Sequence, residues 1–429
     1  MNTGRSRITT YTNGGFTLQI PVEDRVLIAC ARREMSPADH IELERALSGP
    51  VVWESLVERA QMQKLEGLLY VHLNKQPYAS MVPTAVIEDL KILHRRNTVR
   101  RMYFRQELSR ILSTLRQHDI PVIVLKGAAL AETVYRDPGI RPMADLDILV
   151  PHELAHEAQS IIGGMGYAPG GNPEDHEDTE ENHRHLPVLI GVDKPTVVEV
   201  HRHVVRLDSP LHFNISGFWD RARDQMIADV QVKVLGPEDL IIHLSLNFFL
   251  DRRFRSGAAL GQLADIAETI RQYEREIDWE LLFDTLRSYK LMGPVGCSVV
   301  LAHKLLDAPV SDAVLERFWP GHDTDSNLQR FAAKRILSTD PFVAHELVKP
   351  GKRYNLGVLL WAMFRRLVPS RDYMLHRYGS SARGLKGLWM YVVRLGEGLQ
   401  MLIKGGGRPS ALKADLAVDR WLHSIYERP

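Results

Sequence analysis

The chain has 429 residues, of which 45% are hydrophobic, and its 54 Lys and Arg against 53 Asp and Glu leave a net charge of +1. That balance excludes collagen, coiled coil and wholesale disorder, and the length suffices for about two or three domains whose cores need no staples. Cys30 and Cys297 are the two cysteines, too few and too far apart for a disulfide framework or a cysteine-ligated zinc. The longest uncharged runs, Leu291 to Ala302 and Leu356 to Phe364, are little more than half the ~20 residues that cross a bilayer as a helix. The polar, Gly/Thr-rich stretch Met1 to Ile20 lacks the apolar segment of a secretory signal. The expectation is a cytoplasmic protein with a flexible N-terminus over residues 1–20.

Residues 21–117 are expected to form an N-terminal helical region. Val51, Trp53, Leu56, Val57 and Ala60, then Leu65, Leu68, Leu69, Val71 and Leu73, recur near the helical period, and Pro77 and Pro83 close the run. Val86 to Gln117 follows as one long helix, whose basic stretch His94 to Arg105 reads as a solvated face before it reads as a nucleic-acid contact. At Ile120 the period changes. Ile120 to Leu125 is a β-branched run that predicts a buried strand, leading straight into Lys126-Gly127 and a helix to about Tyr135, which Asp137-Pro138-Gly139 stops. Leu146, Ile148, Leu149 and Val150 predict a second strand, Glu153 to Ile162 a helix, and Gly163 to Gly166 a break.

Gly170 to Glu181 is a Gly, Pro and acid-rich loop, solvated in the simplest reading. Leu186 to Val192 and Thr196 to Val200 predict paired strands about the turn at Asp193-Lys194-Pro195, and Gln231 to Leu235 a further short strand. The alternation marks 118–236 as a small α/β core. Helices return at Glu238 to Leu250, Ala258 to Tyr273 and Trp279 to Tyr289, opening a C-terminal helical region over 237–429. Its tail is basic: twelve Lys and Arg between Gly351 and Lys413 oppose only Asp372 and Glu397, with Trp361 and Trp389 among them. Core packing with a solvated basic face is the first reading of that tail, a nucleic-acid or membrane-surface contact the second.

The residues that carry chemistry begin with Asp145 and Asp147. Alternation along a strand puts them on one face, about 7 Å apart at Cα, while Leu146 and Ile148 turn to the core. Two adjacent carboxylates repel unless a cation lies between them, and hard oxygen donors at this spacing suit Mg²⁺ or Mn²⁺. Asp323-Thr324-Asp325 has the same spacing with no strand around it, and reads as solvated surface. What sets the first pair apart is Lys126-Gly127 at a strand-to-helix turn, where backbone N–H groups face an anion, with the planar cation of Arg141 four residues before Asp145. A further strand offers Glu199 and His201 on one face and Val198 and Val200 on the other.

On these residues the chain resembles the bacterial nucleotidyltransferases of the DNA polymerase β-like superfamily, in its uncharacterised, helix-flanked branch. The segments that carry the likeness are Ile120 to Leu130, Tyr135 to Val150, His185 to Pro187, Val198 to His201, Pro237 to His243, Leu263 to Asp265 and Asp278 to Leu282, over roughly 50–310. The resemblance implies an α+β fold, a small mixed-sheet polymerase β-like core flanked by helical segments. It makes Asp145, Asp147 and Glu199 the catalytic metal carboxylates for Mg²⁺ or Mn²⁺, with Lys126 and Gly127 at the phosphate turn. Arg141 would neutralise the leaving group, and His185 and His201 would line the nucleotide or acceptor cleft. The implied partners are an NTP, ATP foremost, and an unidentified acceptor hydroxyl on a small molecule, a peptide or protein, or an RNA end. Two departures stand out: Ala128 follows Gly127 where a serine is usual, and Glu199 stands where an aspartate is common. Alternatives are a non-catalytic nucleotide-binding module and a zinc-dependent hydrolase built from His183, His185, His201 and His203 with Asp145.

Overall fold

The computed structural model describes residues 8–13, 15–170, 183–207, 213–250, 258–337 and 424–425. The chain divides into two units, Met1–Thr339 with Arg428–Pro429, and Asp340–Glu427. Every element named below belongs to the first. The acidic loop and the basic tail lie outside the described residues apart from Gly170, so the readings of both stay with the sequence.

The first element corrects an expectation. Within the segment expected to be flexible, residues 8–20, β1 (Ile8–Asn13) and β2 (Phe16–Pro21) pair antiparallel, Thr9 opposite Ile20 and Tyr11 opposite Leu18. Phe16, Leu18 and Ile20 are buried while Thr17 and Gln19 are exposed, a period of two that average polarity conceals. Helices α1 (Val22–Cys30), α2 (Pro37–Leu47), α3 (Trp53–Met62) and α4 (Glu66–Leu73) follow. The second of these starts at a reciprocal cap in which Ser36 and Asp39 exchange side-chain to backbone hydrogen bonds. Then α5 (Thr84–Gln117) runs the length the sequence predicts. Its basic stretch is only partly solvated. Arg101 is buried, its guanidinium donating to the carbonyl oxygens of Ala131 and of Asp137, the latter at 2.8 Å. The apolar stripe Phe104, Leu108, Ile111, Leu112 and Leu115 joins the core under the sheet.

That sheet has seven strands: β3 (Ile123–Val124), β4 (Leu146–Leu149), β5 (Tyr167–Pro169), β6 (Leu189–Gly191), β7 (Val197–His201), β8 (Arg223–Ile227) and β9 (Val230–Val234). Their spatial order is β5-β6-β7-β4-β3-β9-β8. Parallel pairs β4·β7 and β3·β9 lie among antiparallel ones, so the fold is a mixed-sheet α+β core. Between strands lie α6 (Lys126–Leu130), continued by a π-helical turn Ala131–Tyr135, α7 (Ala155–Gly164) and α8 (Ser216–Arg221). Sequence reading misses β8, whose Arg223, Asp224 and Gln225 are exposed at the sheet edge. Ala228 and Asp229, both at positive φ, make its two-residue hairpin turn to β9. It also misses β5, which follows the glycine break directly.

The C-terminal helices α9 (Pro237–Leu250), α10 (Ala259–Gln272), α11 (Trp279–Tyr289), α12 (Met292–Leu306), α13 (Asp312–Phe318) and α14 (Ser326–Phe331) come where the periodicity places the first three. Nearly every residue of α12 is buried, so it is the interior helix of this layer. The acid-bearing end of the sheet is thus enclosed by helices from both flanks, and a cleft remains between them.

Candidate active site

Strand register assembles the acidic centre. β4 and β7 are neighbours and parallel, with Asp147 opposite Glu199 and Leu149 opposite His201. Side chains of like parity share a face, which brings Asp147, Glu199 and His201 together; all three are buried, at 2%, 5% and 0% exposure. One ligand atom from each lies within 4.8 Å of the others, a buried Asp-Glu-His cluster that could hold a metal ion. Asp145, one residue before β4, is half-buried and lines the same cleft but stays outside this tight group.

A cation already sits among the carboxylates. Lys126 Nζ donates to Asp147 Oδ1 at 2.6 Å and lies 3.8 Å from Glu199 Oε2. His201 Nε2 is 2.8 Å from Asp147 Oδ1 and 3.2 Å from Glu199 Oε2. An ionised carboxylate only accepts, so that ring nitrogen carries the proton and donates. The expectation that His201 touches a nucleotide is therefore corrected: its ring is wholly enclosed and spans the two acids. Burial pushes Asp147 upward, yet the Lys126 ammonium and the His201 ring together outweigh it and hold the carboxyl below its usual range. Burial likewise opposes ionisation of Glu199, but the His201 hydrogen bond and the Lys126 charge pull it far down. Asp145 moves the other way, pushed up to about 6 by burial and by the negative charges of Asp147 and Glu199.

The turn before the cluster is strained. Lys126 has φ +40°, an unusual backbone for a residue with a Cβ. A Cβ on Gly127 would come 2.9 Å from Arg141 Nη1, so glycine leaves room for that guanidinium to lie against the turn. Arg141 itself is committed: Nε and Nη2 donate to the two oxygens of Asp265 at 2.8 and 2.6 Å, and the Tyr135 hydroxyl donates to Asp265 Oδ1 at 2.8 Å. The guanidinium expected to neutralise a leaving group thus lines the cleft with its charge paired to an aspartate on α10. Ala128, read as a missing phosphate donor, is buried in the core with Phe104, Leu108 and Met143, and lines a small cavity with Leu146 on that side of the sheet. A hydroxyl there would not face the cleft.

His185 Nδ1 donates to the Leu186 carbonyl at 2.7 Å, while Nε2 lies 3.8 Å from Glu199 Oε2. Burial lowers it to about 4 and lowers His183, stacked edge-on against it at 4.1 Å, to about 3. Both rings are neutral at pH 7. His203 is turned away to the carbonyls of Val205 and Phe213. Among the described residues, the two His-x-His pairs therefore do not gather into the donor set of a zinc hydrolase; His201 alone of the four joins the acidic group.

The cleft encloses about 970 Å³ including its open mouth. Its walls come from three parts of the chain: Lys64, Leu65 and Leu68 from the N-terminal helices, the Lys126 to Asp147 block with Arg184 and Glu199, and Leu244, Asn247, Gln262 and Asp265 from the C-terminal ones. Sequence reading assigns no role to Lys64, Arg184 or Asp265. Arg184 lies between the two histidines that drew attention to that segment, and Asp265 lies in a segment of the family likeness; nothing local marks Lys64.

A family model described as uncharacterised nucleotidyltransferase matches residues 49–307, well over half of the chain. No curated protein and no solved structure matches it. The matched span contains all three walls of the cleft.

Proposed function

Because the chain belongs to the uncharacterised nucleotidyltransferase family, we propose that this cleft transfers a nucleoside monophosphate from an NTP, ATP foremost, to an acceptor hydroxyl and releases pyrophosphate. The observation that carries the reading is the register of Asp147 opposite Glu199 on adjacent parallel strands, with Asp145 on the rim of the same cleft. Asp147 and Glu199 fit a hard divalent ion: they are oxygen donors, buried side by side, and kept ionised by a neighbouring positive charge. A bound Mg²⁺ or Mn²⁺ supplies charge for the phosphate chain and a lower pKa for the acceptor hydroxyl. Asp145, Asp147 and Glu199 would hold it; His201, hydrogen-bonded to Asp147 and Glu199, fixes the orientation of these two carboxylates, as outer-shell donors do. Gly127 and Lys126 shape the turn beside them, and Arg141 with Asp265 braces that turn. His185, neutral, closes the side of Glu199.

Incubating the protein with each NTP and Mg²⁺ or Mn²⁺ together with candidate acceptors tests this. Mass spectrometry is expected to find an acceptor heavier by one nucleoside monophosphate, with stoichiometric pyrophosphate. A module that only binds nucleotide would take up Mg·NTP and release no pyrophosphate with any acceptor or with water, and that result would reject transfer.

A further inference from the structure

Among the described residues, four cations line the cleft, Lys64, Lys126, Arg141 and Arg184, and four carboxylates line it with them, Asp145, Asp147, Glu199 and Asp265. The charges cancel in number but not in placement. Lys126 is held 2.6 Å from Asp147, and Arg141 is clamped by both oxygens of Asp265. Arg184 is not so engaged. Among the described residues, its Nη1 reaches only the side-chain oxygen of Asn247 at 3.4 Å, and its buried Nε has no acceptor. A buried donor left without an acceptor is costly and calls for an explanation. Lys64 makes no ion pair among the described residues, yet its charge is felt at Asp145.

Lys64 is not a loose surface lysine. It stands at φ +58° in the turn between α3 and α4. Next to it the buried Gln63 takes a hydrogen bond from the Leu260 N–H at 2.8 Å and gives one to the Ile336 carbonyl at 2.9 Å. A Cβ on Gly261 would come within 2.2 Å of the Gln63 carbonyl oxygen, so this turn is seated on the start of α10. The N-terminal helices thereby present a cation to the cleft from a fixed position.

We infer that Lys64 and Arg184 form the polyphosphate subsite, the place where the β- and γ-phosphates of the nucleotide are held. This rests on the reading of the cleft as an NTP site. A triphosphate brings about four negative charges into a cleft that already has three acids at its centre, and cations neutralised by their own carboxylates attract it weakly. Among the described residues, the charged donors left for its oxygens are the ammonium of Lys64 and the guanidinium fork of Arg184, whose planar N–H groups match a phosphate. The subsite thus joins the N-terminal helices to the loop before β6, outside the Lys-Gly to Asp-x-Asp block.

Calorimetric titration of the full chain in Mg²⁺ decides it, with ATP, inorganic tripolyphosphate and adenosine as ligands. Lys64→Met and Arg184→Gln are each expected to raise the dissociation constants of ATP and of tripolyphosphate about tenfold and to leave adenosine unchanged, as loss of one charged hydrogen-bond donor does. Arg184→Lys should recover only part of the loss, since a point charge does not replace the fork. Thermal melting checks that each variant folds, and Lys64→Met, at an exposed position, keeps the test standing if Arg184→Gln does not. Wild-type affinity for ATP and tripolyphosphate in folded variants would overturn the subsite and leave the functional reading intact. Failure of the wild-type chain to bind any NTP or tripolyphosphate with Mg²⁺ or Mn²⁺ would overturn both.

Discussion

Asp145-Leu146-Asp147 and Asp323-Thr324-Asp325 have the same spacing and opposite fates. The first pair straddles the start of β4, where a parallel neighbour supplies Glu199 and a turn supplies Lys126. The second lies at the start of α14, where Asp325 accepts from the backbone N–H groups of Asn327 and Leu328 and from the Trp319 indole at 3.1 Å. Asp323 is exposed and pairs with Lys304. One pair concentrates negative charge that needs a cation; the other divides its oxygens between a helix cap, an indole and an ion pair. Two aspartates two residues apart carry no chemistry until another strand is laid beside them.

The largest expected difference is in turnover. Outer-shell partners of a metal site are worth about 10–100-fold, so loss of a ligand charge in Asp147→Asn should reduce pyrophosphate release by more than about a hundredfold. Asp325→Ala should leave release unchanged and lower stability by about 1 kcal/mol, the worth of an N-cap. Steady-state pyrophosphate assays with urea unfolding of both variants check this, and equal loss of activity in the two would erase the distinction between the pairs.

Next in size is the resident cation. Lys126→Met removes the positive charge bonded to Asp147, so Mn²⁺ in the absence of nucleotide should bind at least about tenfold tighter, because charges about 4 Å apart interact by up to about 4 kcal/mol near a protein surface and each ~1.4 kcal/mol is one decade. Spin-resonance titration of free Mn²⁺ reads this directly; weaker binding would mean that the ammonium assists the ion and does not compete with it. The equivalent change beside the second pair, Lys304→Met, should create no Mn²⁺ site.

A third test concerns the side of the sheet on which the turn residues lie. Ala128 is 3% exposed, and burying a hydroxyl without a partner costs about 1–3 kcal/mol. Ala128→Ser should lower the unfolding free energy by that amount, read by urea titration, and leave Mg·ATP affinity as it was. Tighter ATP binding at unchanged stability would show that the side chain reaches the cleft after all.

The smallest effect is in titration. Asp145 is raised to about 6, while the hydrogen bond from Lys304 draws Asp323 below its usual range. A carboxyl raised on folding adds stability that is present below its unfolded value near 4 and lost as the pH climbs through 6. One that is depressed adds stability present above 4 and lost as the pH falls through its folded value. Carbon-13 carboxyl shifts of the metal-free protein should place Asp145 near 6 and Asp323 below the usual aspartate range; the reverse order would invalidate the electrostatic contrast between the pairs.

Much of the fold is legible along the chain. The helical period of α3, α4 and α5 and the β-branched run at Ile120 are local signals, since each records which face of one element meets the core. The missed elements were those whose pattern is short or polar: the β1–β2 hairpin, the three residues of β5, and β8 with its charged edge. The buried Arg101 escaped for a different reason. A basic run looks solvated until the carbonyls of Ala131 and Asp137 are known to lie against it.

The site divides along the same line. Asp145, Asp147, Glu199, His201 and Lys126 could be picked out by the sequence alone, because alternation along a strand and the strand-to-helix turn are decided within a few residues. Strand order was not: only the tertiary structure puts β7 beside β4 in parallel, sets Asp147 opposite Glu199, and drops the Lys126 ammonium between them. It likewise pairs Arg141 with Asp265, 124 residues away, hides Ala128 in the core, and brings Lys64 and Arg184 to one cleft. Local propensity acts over a turn or a strand, whereas the partner of a charge is chosen by which helices and strands bury their apolar faces together, and the chain's linear order does not encode that choice in any one segment.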